Sequence, residues 1–393
     1  MVQFASIVLQ FDKQKVKEIK MDIKKIALDL IKFRTETGNS SQIEKCLNYV
    51  QQLLDSRFHK ILYRQDTLAP ILLLANTAEL SFDILVVGHL DVVPAEKQMF
   101  EPQCTDNLIY GRGTLDMKSF ATVGLDSLSY VVDSNLPVKF GVLLSTDEEK
   151  GSFGLNAFLK KYPQLSSKIV LDVDVAGDIT KIITKCKNPV FVKIIAEGLE
   201  AHGSTPWNGI DANEKMLQVL TNIRKLFPYF SKQAAMPADT WIDTVHFAKI
   251  EGGQVANVIS NYCESLLDFR LTEKSSLKDL ENKLKSCLID GVRYEIVSSS
   301  HPVIMDESNP HILQYKTLAE QVLGQTVNFQ YIGGATDSRA FAEKGSVVIM
   351  HSGSGDGMHA SNEYVDWTSV EQLAQIQKNF IRKFALNSKT KQL

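Results

Sequence analysis

Histidine and carboxylate residues occur at five places in this sequence where an apolar run or a glycine turn ends. The first place holds His89 and Asp91, directly after the apolar run 84–88. Side chains two residues apart in an extended chain point the same way, so these two can act together. A metal-bound imidazole commonly donates its other ring N–H to a carboxylate, which fixes the orientation of the ring. The pair therefore indicates a metal ligand and its support, although a solvated loop can carry the same residue types.

The other four places add carboxylates and a second imidazole. The carboxyl ends of strands in an α/β sheet form the edge where ligands bind, so polar residues that follow successive strands are expected to meet there. Each place also has an ordinary structural alternative, such as a helix N-cap for an aspartate after a glycine turn, or an exposed acidic turn for paired glutamates. The residues concerned are Asp116, Glu148, Glu149, Asp172, Asp174 and His359.

Together these residue types suit a pair of metal ions. Two imidazoles and several carboxylates are suitable ligands for Zn²⁺, and a shared carboxylate suits two ions about 3.5–4 Å apart. Two divalent ions bring four positive charges, whereas Asp116, Glu149 and one further aspartate bring three negative charges. A bridging hydroxide then neutralises the site, and Glu148 is left as a general base. The serine-nucleophile elbow, the Walker phosphate loop and the His-Glu-x-x-His motif do not occur in the sequence.

Four short apolar runs, with helical patterns around them, are expected to position these residues. Apolar side chains recur at helical spacing in segments 23–31 and 43–54. The later runs are apolar on both faces, as in strands that helices cover from both sides. The alternation predicts an α/β fold with a mostly parallel sheet flanked by helices. The runs are 71–75, 84–88, 140–144 and 169–171.

Residues 188–298 show a different pattern, in the order strand, helix, strand, strand, helix, strand. The segment 263–271 alternates apolar and polar residues, as in an antiparallel sheet with one face in water. This order predicts a two-layer α+β domain inserted into the first. After it, a strand at 347–350 and a helix near 370–384 resume the first pattern. We therefore predict a catalytic domain of residues 1–187 and 299–393 and an inserted domain of residues 188–298.

The composition argues against several classes of partner. Lys and Arg total 43 against 46 Asp and Glu, a net charge of −3, so nucleic-acid and anionic-membrane binding are not expected. No apolar run approaches the ~20 residues of a membrane helix. The apolar segment 2–9 lacks the positive leader of a signal peptide. Five dispersed cysteines without a Cys-x-x-Cys motif are typical of reduced thiols in the cytoplasm.

The order of the motifs resembles that of the dinuclear zinc peptidase and deacylase family. That family includes acetylornithine deacetylase, succinyl-diaminopimelate desuccinylase, aminoacylase, carboxypeptidase G and cytoplasmic di- and tripeptidases. The resemblance covers residues 22 to 385, and residues 1–20 have no recognisable counterpart. The motifs are His89-Leu90-Asp91, Gly111-Arg112-Gly113-Thr114-Leu115-Asp116-Met117-Lys118, Glu148-Glu149, Asp174, Ala201-His202-Gly203 and His359.

The resemblance implies two Zn²⁺ ions per chain, with Co²⁺ or Mn²⁺ as substitutes. In the family, two residues hold each ion, one aspartate bridges both, and the peptide bond after that aspartate is cis. A second aspartate supports one histidine, and a glutamate deprotonates the bridging water and later protonates the leaving amine. The implied residues are His89 and Asp174 for one ion, Glu149 and His359 for the other, Asp116 as the bridge, Asp91 as the support and Glu148 as the base.

The resemblance also gives the inserted domain two roles, as a lid and as a dimer surface. His202 is similar to the histidine that reaches the active site of a partner subunit and polarises the scissile carbonyl. Asn257 and Arg339 resemble residues that bind the substrate carboxylate, for which the planar guanidinium fork is well suited. The resemblance therefore implies a homodimer.

Two questions stay open at this level. Asp172 and Asp174 compete for one ligand position, and we favour Asp174 because it closes the longer apolar strand. An aspartate there also favours the peptidase branch, and so hydrolysis of an amide bond in a dipeptide, a C-terminal residue or an N-acyl amino acid. The alternative is a biosynthetic deacylase of the acetylornithine or succinyl-diaminopimelate type. A non-catalytic peptide-binding protein is less favoured, because a pure binder needs no base such as Glu148.

Overall fold

A computed structural model describes residues 21–65, 68–175, 177–227 and 240–390 of the chain, so the apolar segment 2–9 lies outside the described residues. Nine α-helices and seventeen strands occur in these ranges. The helices are α1 (Ile23–Lys32), α2 (Ser40–Gln52), α3 (Lys118–Asp133), α4 (Phe153–Lys161), α5 (Ala212–Leu226), α6 (Leu277–Cys287), α7 (Pro310–Leu323), α8 (Arg339–Ala342) and α9 (Trp367–Thr390). The strands are β1 (His59–Gln65), β2 (Leu68–Ala75), β3 (Ser81–His89), β4 (Gln103–Thr105), β5 (Leu108–Tyr110), β6 (Phe140–Ser145), β7 (Ser166–Asp172), β8 (Lys181–Cys186), β9 (Asn188–Glu197), β10 (Thr244–Gly252), β11 (Tyr262–Leu271), β12 (Val292–Ser299), β13 (Val303–Ile304), β14 (Asn328–Ile332), β15 (Val347–Met350), β16 (Gly355–Asp356) and β17 (Tyr364–Asp366).

A nine-stranded sheet forms the centre of the fold, in the order β1-β2-β6-β3-β7-β15-β8-β13, with β14 also paired to β8. Strands β6, β3, β7 and β15 run parallel and form the middle of the sheet. Alternate residues of each strand enter two separate apolar cores, so Leu72 and Leu74 face one core while Ile71 and Leu73 face the other. Helices α1, α2, α3, α7 and α9 contribute to the first core and α4 and α8 to the second. The sheet is therefore covered on both faces, as the apolar runs predict.

The apolar run 71–75 differs from the other three, because β2 is antiparallel to its neighbour β6. Only the residues 76–80 connect β2 to β3. A parallel crossover needs a dozen or more residues, so this connection is too short for one. The sheet is thus parallel in its middle and antiparallel at the edge where β1 and β2 form a hairpin-like pair.

The segment between β9 and β12 forms its own four-stranded antiparallel sheet, in the order β10-β11-β9-β12. Helices α5 and α6 pack on one face of this sheet around a third apolar core, which includes Leu220, Leu267 and Leu284. The alternating burial of β11 matches its alternating sequence, because one face of the strand meets this core. No helix among the described residues is both long and apolar enough to cross a membrane.

Candidate metal centre and cleft

The ends of three neighbouring parallel strands carry the first group of site residues. His89 is the last residue of β3, the short turn Glu148–Lys150 follows β6, and Asp174 lies just beyond β7. Strand β3 pairs with β6 on one side and with β7 on the other, so the three segments leave the sheet side by side. The middle of each strand is apolar, and the site residues lie where the strands end at this edge.

Asp116 lies between the two imidazoles of the site. Its Oδ1 is 2.9 Å from Nε2 of His89, and its Oδ2 is 2.9 Å from Nε2 of His359. Asp116 does not cap α3, because Met117 occupies the N-cap position and no side chain caps this helix. The Asp116–Met117 peptide bond is cis, which confirms what the resemblance implies. The two carboxylate oxygens of Asp116 therefore face different histidines.

Asp91 orients His89 from behind. Nδ1 of His89 lies 3.3 Å from Oδ1 of Asp91 and 3.0 Å from the backbone oxygen of the same residue. The Asp91 carboxylate accepts hydrogen bonds from the hydroxyl of Thr37 and from the backbone N–H groups of Glu148 and Glu149, at 2.7, 3.2 and 3.3 Å. Both side chains are buried, so Nε2 of His89 is turned toward the other carboxylates.

The structure distinguishes the two competing aspartates. Oδ1 of Asp174 lies 3.5 Å from Nε2 of His89. Asp172 instead accepts hydrogen bonds from the backbone N–H of Asp174 and from the hydroxyl of Thr336, one at each carboxylate oxygen. Because its oxygens are already occupied, Asp172 is less available to a cation than Asp174. This geometry favours Asp174 as the ligand candidate.

Glu149 completes the surroundings of the second imidazole. Its Oε2 lies 3.3 Å from Nε2 of His359, and its side chain is only 8% exposed, unlike that of an exposed acidic turn. Its other oxygen, Oε1, is buried and has no hydrogen-bond partner among the described residues. A buried carboxylate oxygen without a donor is costly, so this atom indicates a missing positive partner.

The cluster shifts the pKa values of its own groups. Hydrogen bonding to Asp116 raises the pKa of His359 to about 10. Burial lowers the pKa of His89, but the charges of Asp174 and Asp116 outweigh burial and raise it above its ordinary value. Burial raises the pKa of Asp174 to about 6 and that of Glu148 well above its ordinary value. The site thus has excess negative charge that only positive groups can compensate.

These residues are of the types and at the distances that a metal centre needs. Two sets of three side chains bring potential ligand atoms within 4.8 Å of one another, His89 with Glu148 and Asp174, and His89 with Asp116 and Glu149. Imidazole nitrogen and carboxylate oxygen are ordinary ligands of Zn²⁺. The unpartnered Oε1 of Glu149 and the Asp116 carboxylate between the two histidines are both suited to a bound cation.

A cleft of about 960 Å³ opens above the cluster, between the central sheet and the inserted segment. Arg339, at the start of α8, lines it together with Asp116 and Glu148. The Arg339 guanidinium makes no hydrogen bond or ion pair within the part of the chain that the structure describes. A half-buried guanidinium in a cleft, with no hydrogen bond or ion pair to a described residue, is suited to an anionic ligand group such as a carboxylate.

His202 and Asn257 lie together, but away from this cleft. The N–H of Gly203 donates to the backbone oxygen of Asn257 at 2.8 Å, and His202 forms an isolated β-bridge with Val258. Both side chains are exposed, and neither is among the residues that line the cleft. Nδ1 of His202 interacts with the hydroxyl of Ser204 at 2.7 Å. Within one chain, therefore, these two residues are not brought to the cluster.

Sequence reasoning missed Glu363, which joins the Asp116 turn to the His359 loop. Its Oε1 accepts hydrogen bonds from the backbone N–H groups of Gly113, Leu115 and Asp116, at 3.0, 2.9 and 3.2 Å. Its Oε2 forms a buried ion pair with Arg112. Burial raises the pKa of Glu363, against the effect of these donors.

Arg112 extends this connection to the second imidazole. Its guanidinium donates to the backbone oxygens of His359 and Ala360 at 3.0 and 3.2 Å. His359 has a φ of 63°, a left-handed conformation that is uncommon for a residue with a side chain. Pairing of β5 with β17 brings Glu363 beside Arg112. The sequence does not indicate that Glu363 is buried, because it lies in a polar loop. Its ion-pair partner Arg112 is 251 residues away in the chain.

The cluster of candidate metal ligands lies at the carboxyl ends of parallel strands, which is where α/β folds bind their ligands. The sequence matches the model of peptidase family M20/M25/M40 over residues 85–383, and the chain belongs to this family. Among curated proteins, it is 26% identical over 373 residues to acetylornithine deacetylase of Proteus mirabilis, covering 91% of this chain and 93% of the relative. It is 24% identical over 377 residues to succinyl-diaminopimelate desuccinylase of Ehrlichia canis, covering 92% of this chain and 97% of the relative.

Solved structures show the same fold. The M20 family metallo-carboxypeptidase Sso-CP2 from Sulfolobus solfataricus superposes with a TM-score of 0.77 at 16% identity, covering 93% of this chain and all of the other. The di-peptidase Dug1p from Saccharomyces cerevisiae superposes with a TM-score of 0.69 at 17% identity, covering 95% of this chain and 97% of the other. These matches confirm the predicted α/β architecture.

Proposed function

We propose that this protein is a zinc-dependent hydrolase that cleaves an amide bond in a dipeptide, a C-terminal residue or an N-acyl amino acid. The observation that carries the proposal is the Asp116 carboxylate, whose two oxygens face His89 and His359 at 2.9 Å each. Membership of peptidase family M20/M25/M40 and the deacylase relatives support the same reaction class.

Two Zn²⁺ ions per chain are part of the proposal, with Co²⁺ or Mn²⁺ as substitutes. Bound there, they would supply Lewis acidity and a water of lowered pKa. Asp91 fixes the ring of His89 through its contact with Nδ1, so that the opposite nitrogen stays directed into the site. The residues that would hold the ions are His89 and Asp174, Glu149 and His359, and Asp116 between the pairs.

Glu148 and Arg339 act on the substrate in this proposal. Burial and the charge of Asp174 raise the pKa of Glu148, a shift that favours a carboxyl group able to accept a proton and return it. It would take a proton from the attacking water and deliver one to the leaving amine. Arg339, which lines the same cleft, would bind the substrate carboxylate and align the amide.

We propose further that the chain acts as a homodimer and that its inserted domain, residues 188–298, is a lid and dimer surface for the catalytic domain, residues 1–187 and 299–393. His202 and Asn257 do not line the cleft of their own chain, so they would serve a partner's site. Large apolar side chains close to them in sequence support an interface there, because they are 40–77% exposed. These side chains are Leu199, Trp207, Ile210, Val255 and Val258.

Mixed variants test the reaction and the dimer together. Glu148→Ala removes the base, and His202→Ala removes a donor worth about 10²–10³ in kcat by analogy with oxyanion donors. Each variant alone should bind zinc and be nearly inactive. Randomly exchanged mixtures should recover up to about a quarter of wild-type activity, because half the dimers then carry one intact site. An absence of recovery despite proven exchange would show that His202 does not act in trans.

The alternative reaction is biosynthetic deacylation of acetylornithine or succinyl-diaminopimelate, favoured by the names of the sequence relatives. The rates of hydrolysis of a panel of dipeptides and N-acyl amino acids distinguish the two reactions. The same panel measured after chelation tests the need for a metal. Chelation should abolish activity, and zinc should restore it. A cytoplasmic location is also proposed, supported by five cysteines that are all free, four of them buried.

A further inference from the structure

The cleft above the cluster has apolar walls on both sides. Phe153 and Ile332 line it from the catalytic side, and Phe191 and Val297 line it from the inserted segment. Phe153 is 61% exposed and Val297 is 58% exposed, so these side chains are not buried in the cores of their own domains. Apolar surface of this kind in a cleft gains free energy when an apolar ligand group covers it.

A β-bulge places Val297 in the cleft. Strand β12 pairs with β9, and the register shifts between Ile296 and Ser298, so Val297 is the extra residue. Bulges are common beside binding sites because they redirect a side chain. The preceding exposed positions of this strand, Arg293 and Glu295, are charged and form an ion pair. An apolar residue at the bulge therefore has no role in the core of the inserted segment, but it contributes to the cleft wall.

Two cations of the described cleft walls already have partners within the chain. Nζ of Lys150 donates to the backbone oxygen of Thr37 at 2.9 Å. Arg270 is bound by both carboxylate oxygens of Asp268 at 2.9 and 3.0 Å. Beyond the carboxylates of the metal cluster, Glu343 is the only acid among the described residues that line the cleft, and it lies 3.3 Å from His301. A substrate side chain that ends in an ammonium group would thus meet, outside the cluster, only Glu343, which is 59% exposed and lies beside His301 rather than beside the apolar walls. Arg339 is left to bind a substrate carboxylate.

We propose that the cleft selects N-acyl or N-aminoacyl derivatives of amino acids with apolar, uncharged side chains, bound through their α-carboxylate at Arg339. This inference rests on the proposed amide hydrolysis and adds the class of substrate. It separates the protein from deacylases whose substrate has a second charged end, because the side-chain subsite formed by Phe153, Val297 and Ile332 offers that end no partner.

The test compares substrates of similar length in the zinc-loaded, full-length protein. N-acetyl-leucine and N-acetyl-methionine are set against N-acetylornithine, and Ala-Leu against Ala-Lys. The value of kcat/KM should be at least about tenfold higher for the apolar member of each comparison, since a misplaced polar group costs about this factor or more. Equal values, or a preference for the cationic members, would overturn the inference while leaving amide hydrolysis intact. A zinc-loaded protein that hydrolyses none of these compounds would overturn the proposed function as well.

Variants of the apolar wall residues test whether the preference for apolar substrates depends on them. Val297→Asp places a carboxylate in the subsite, and the apolar-to-cationic ratio of kcat/KM should fall about tenfold or more. Phe153→Asp provides a second variant on the opposite wall and should shift the ratio in the same direction. Leu313→Asp is the matched control, because Leu313 is a 44% exposed side chain on α7 outside the cleft, and the ratio should not change. Unchanged ratios in both cleft variants, with melting temperatures like that of the control, would refute the assignment of the subsite.

Discussion

The ion pair between Glu363 and Arg112 gives the sharpest prediction about how the cluster is positioned. Glu363→Gln preserves the shape of the side chain and removes its charge. The two side chains are 0% and 3% exposed, so the substitution leaves the buried guanidinium of Arg112 without the carboxylate that pairs with it. The substitution also weakens the acceptor for the N–H groups of Gly113, Leu115 and Asp116.

The expected loss of stability follows from these contacts. Removal of one partner from a buried ion pair costs roughly 3–5 kcal/mol, because an uncompensated charge remains. Arg112 keeps its hydrogen bonds to the backbone oxygens of His359 and Ala360, so we expect the lower end, about 3 kcal/mol. Zinc affinity should also fall by about 10–100-fold, as for other groups that orient metal ligands.

Urea denaturation of the metal-free proteins measures the stability change, and titration with a competing zinc chelator measures the affinity. Glu197→Gln is the matched control, because Glu197 forms an exposed ion pair with Arg293, with side chains 62% and 52% exposed. That substitution should change the free energy of unfolding by no more than about 1 kcal/mol. A similarly small change for Glu363→Gln, with zinc affinity unaltered, would refute the positioning role.

Two further predictions concern the buried His351 and the two aspartates that compete for one ligand position, Asp172 and Asp174. Burial lowers the pKa of His351 to about 4, so between pH 6.5 and 4 the unfolded chain binds a proton that the folded chain does not. The free energy of unfolding should therefore fall as pH decreases through this window, by roughly 3 kcal/mol from this group. In His351→Gln, the free energy of unfolding should depend less steeply on pH. The same pH dependence in both proteins would contradict this prediction. Asp174→Asn should reduce bound zinc from two ions to one, whereas Asp172→Asn should retain both, as counted by elemental analysis; the reverse result would exchange their roles.

Much of the fold can be predicted from the sequence, because the spacing of apolar residues reflects which side chains are buried. The runs 84–88 and 140–144 lie within β3 and β6, and the segment 347–350 coincides with β15. The direction of β2 is not encoded in its apolar residues, and it becomes apparent only from the short connection to β3. The strands of the small sheet β16-β17-β5-β4 are two or three residues long, too short for any periodic pattern to reveal.

The cluster was predictable for a related reason. His89 ends one apolar strand and Glu149 and Asp174 follow two others, and these strands lie side by side in the sheet. Glu363 was not predictable, because its burial depends on a strand pair that joins distant segments and on an arginine 251 residues away. The choice between the two aspartates likewise depended on which carboxylate oxygens already accept hydrogen bonds, a property of the folded chain alone.

The central claim is that two metal ions share the carboxylate of Asp116, and crystallography of the zinc-loaded protein tests it most directly. Anomalous scattering at the zinc absorption edge locates the ions independently of any enzymatic assay. Our account predicts two zinc peaks, one beside His89 and one beside His359, with the Asp116 carboxylate between them. A single peak, or two peaks of which neither contacts Asp116, would contradict it.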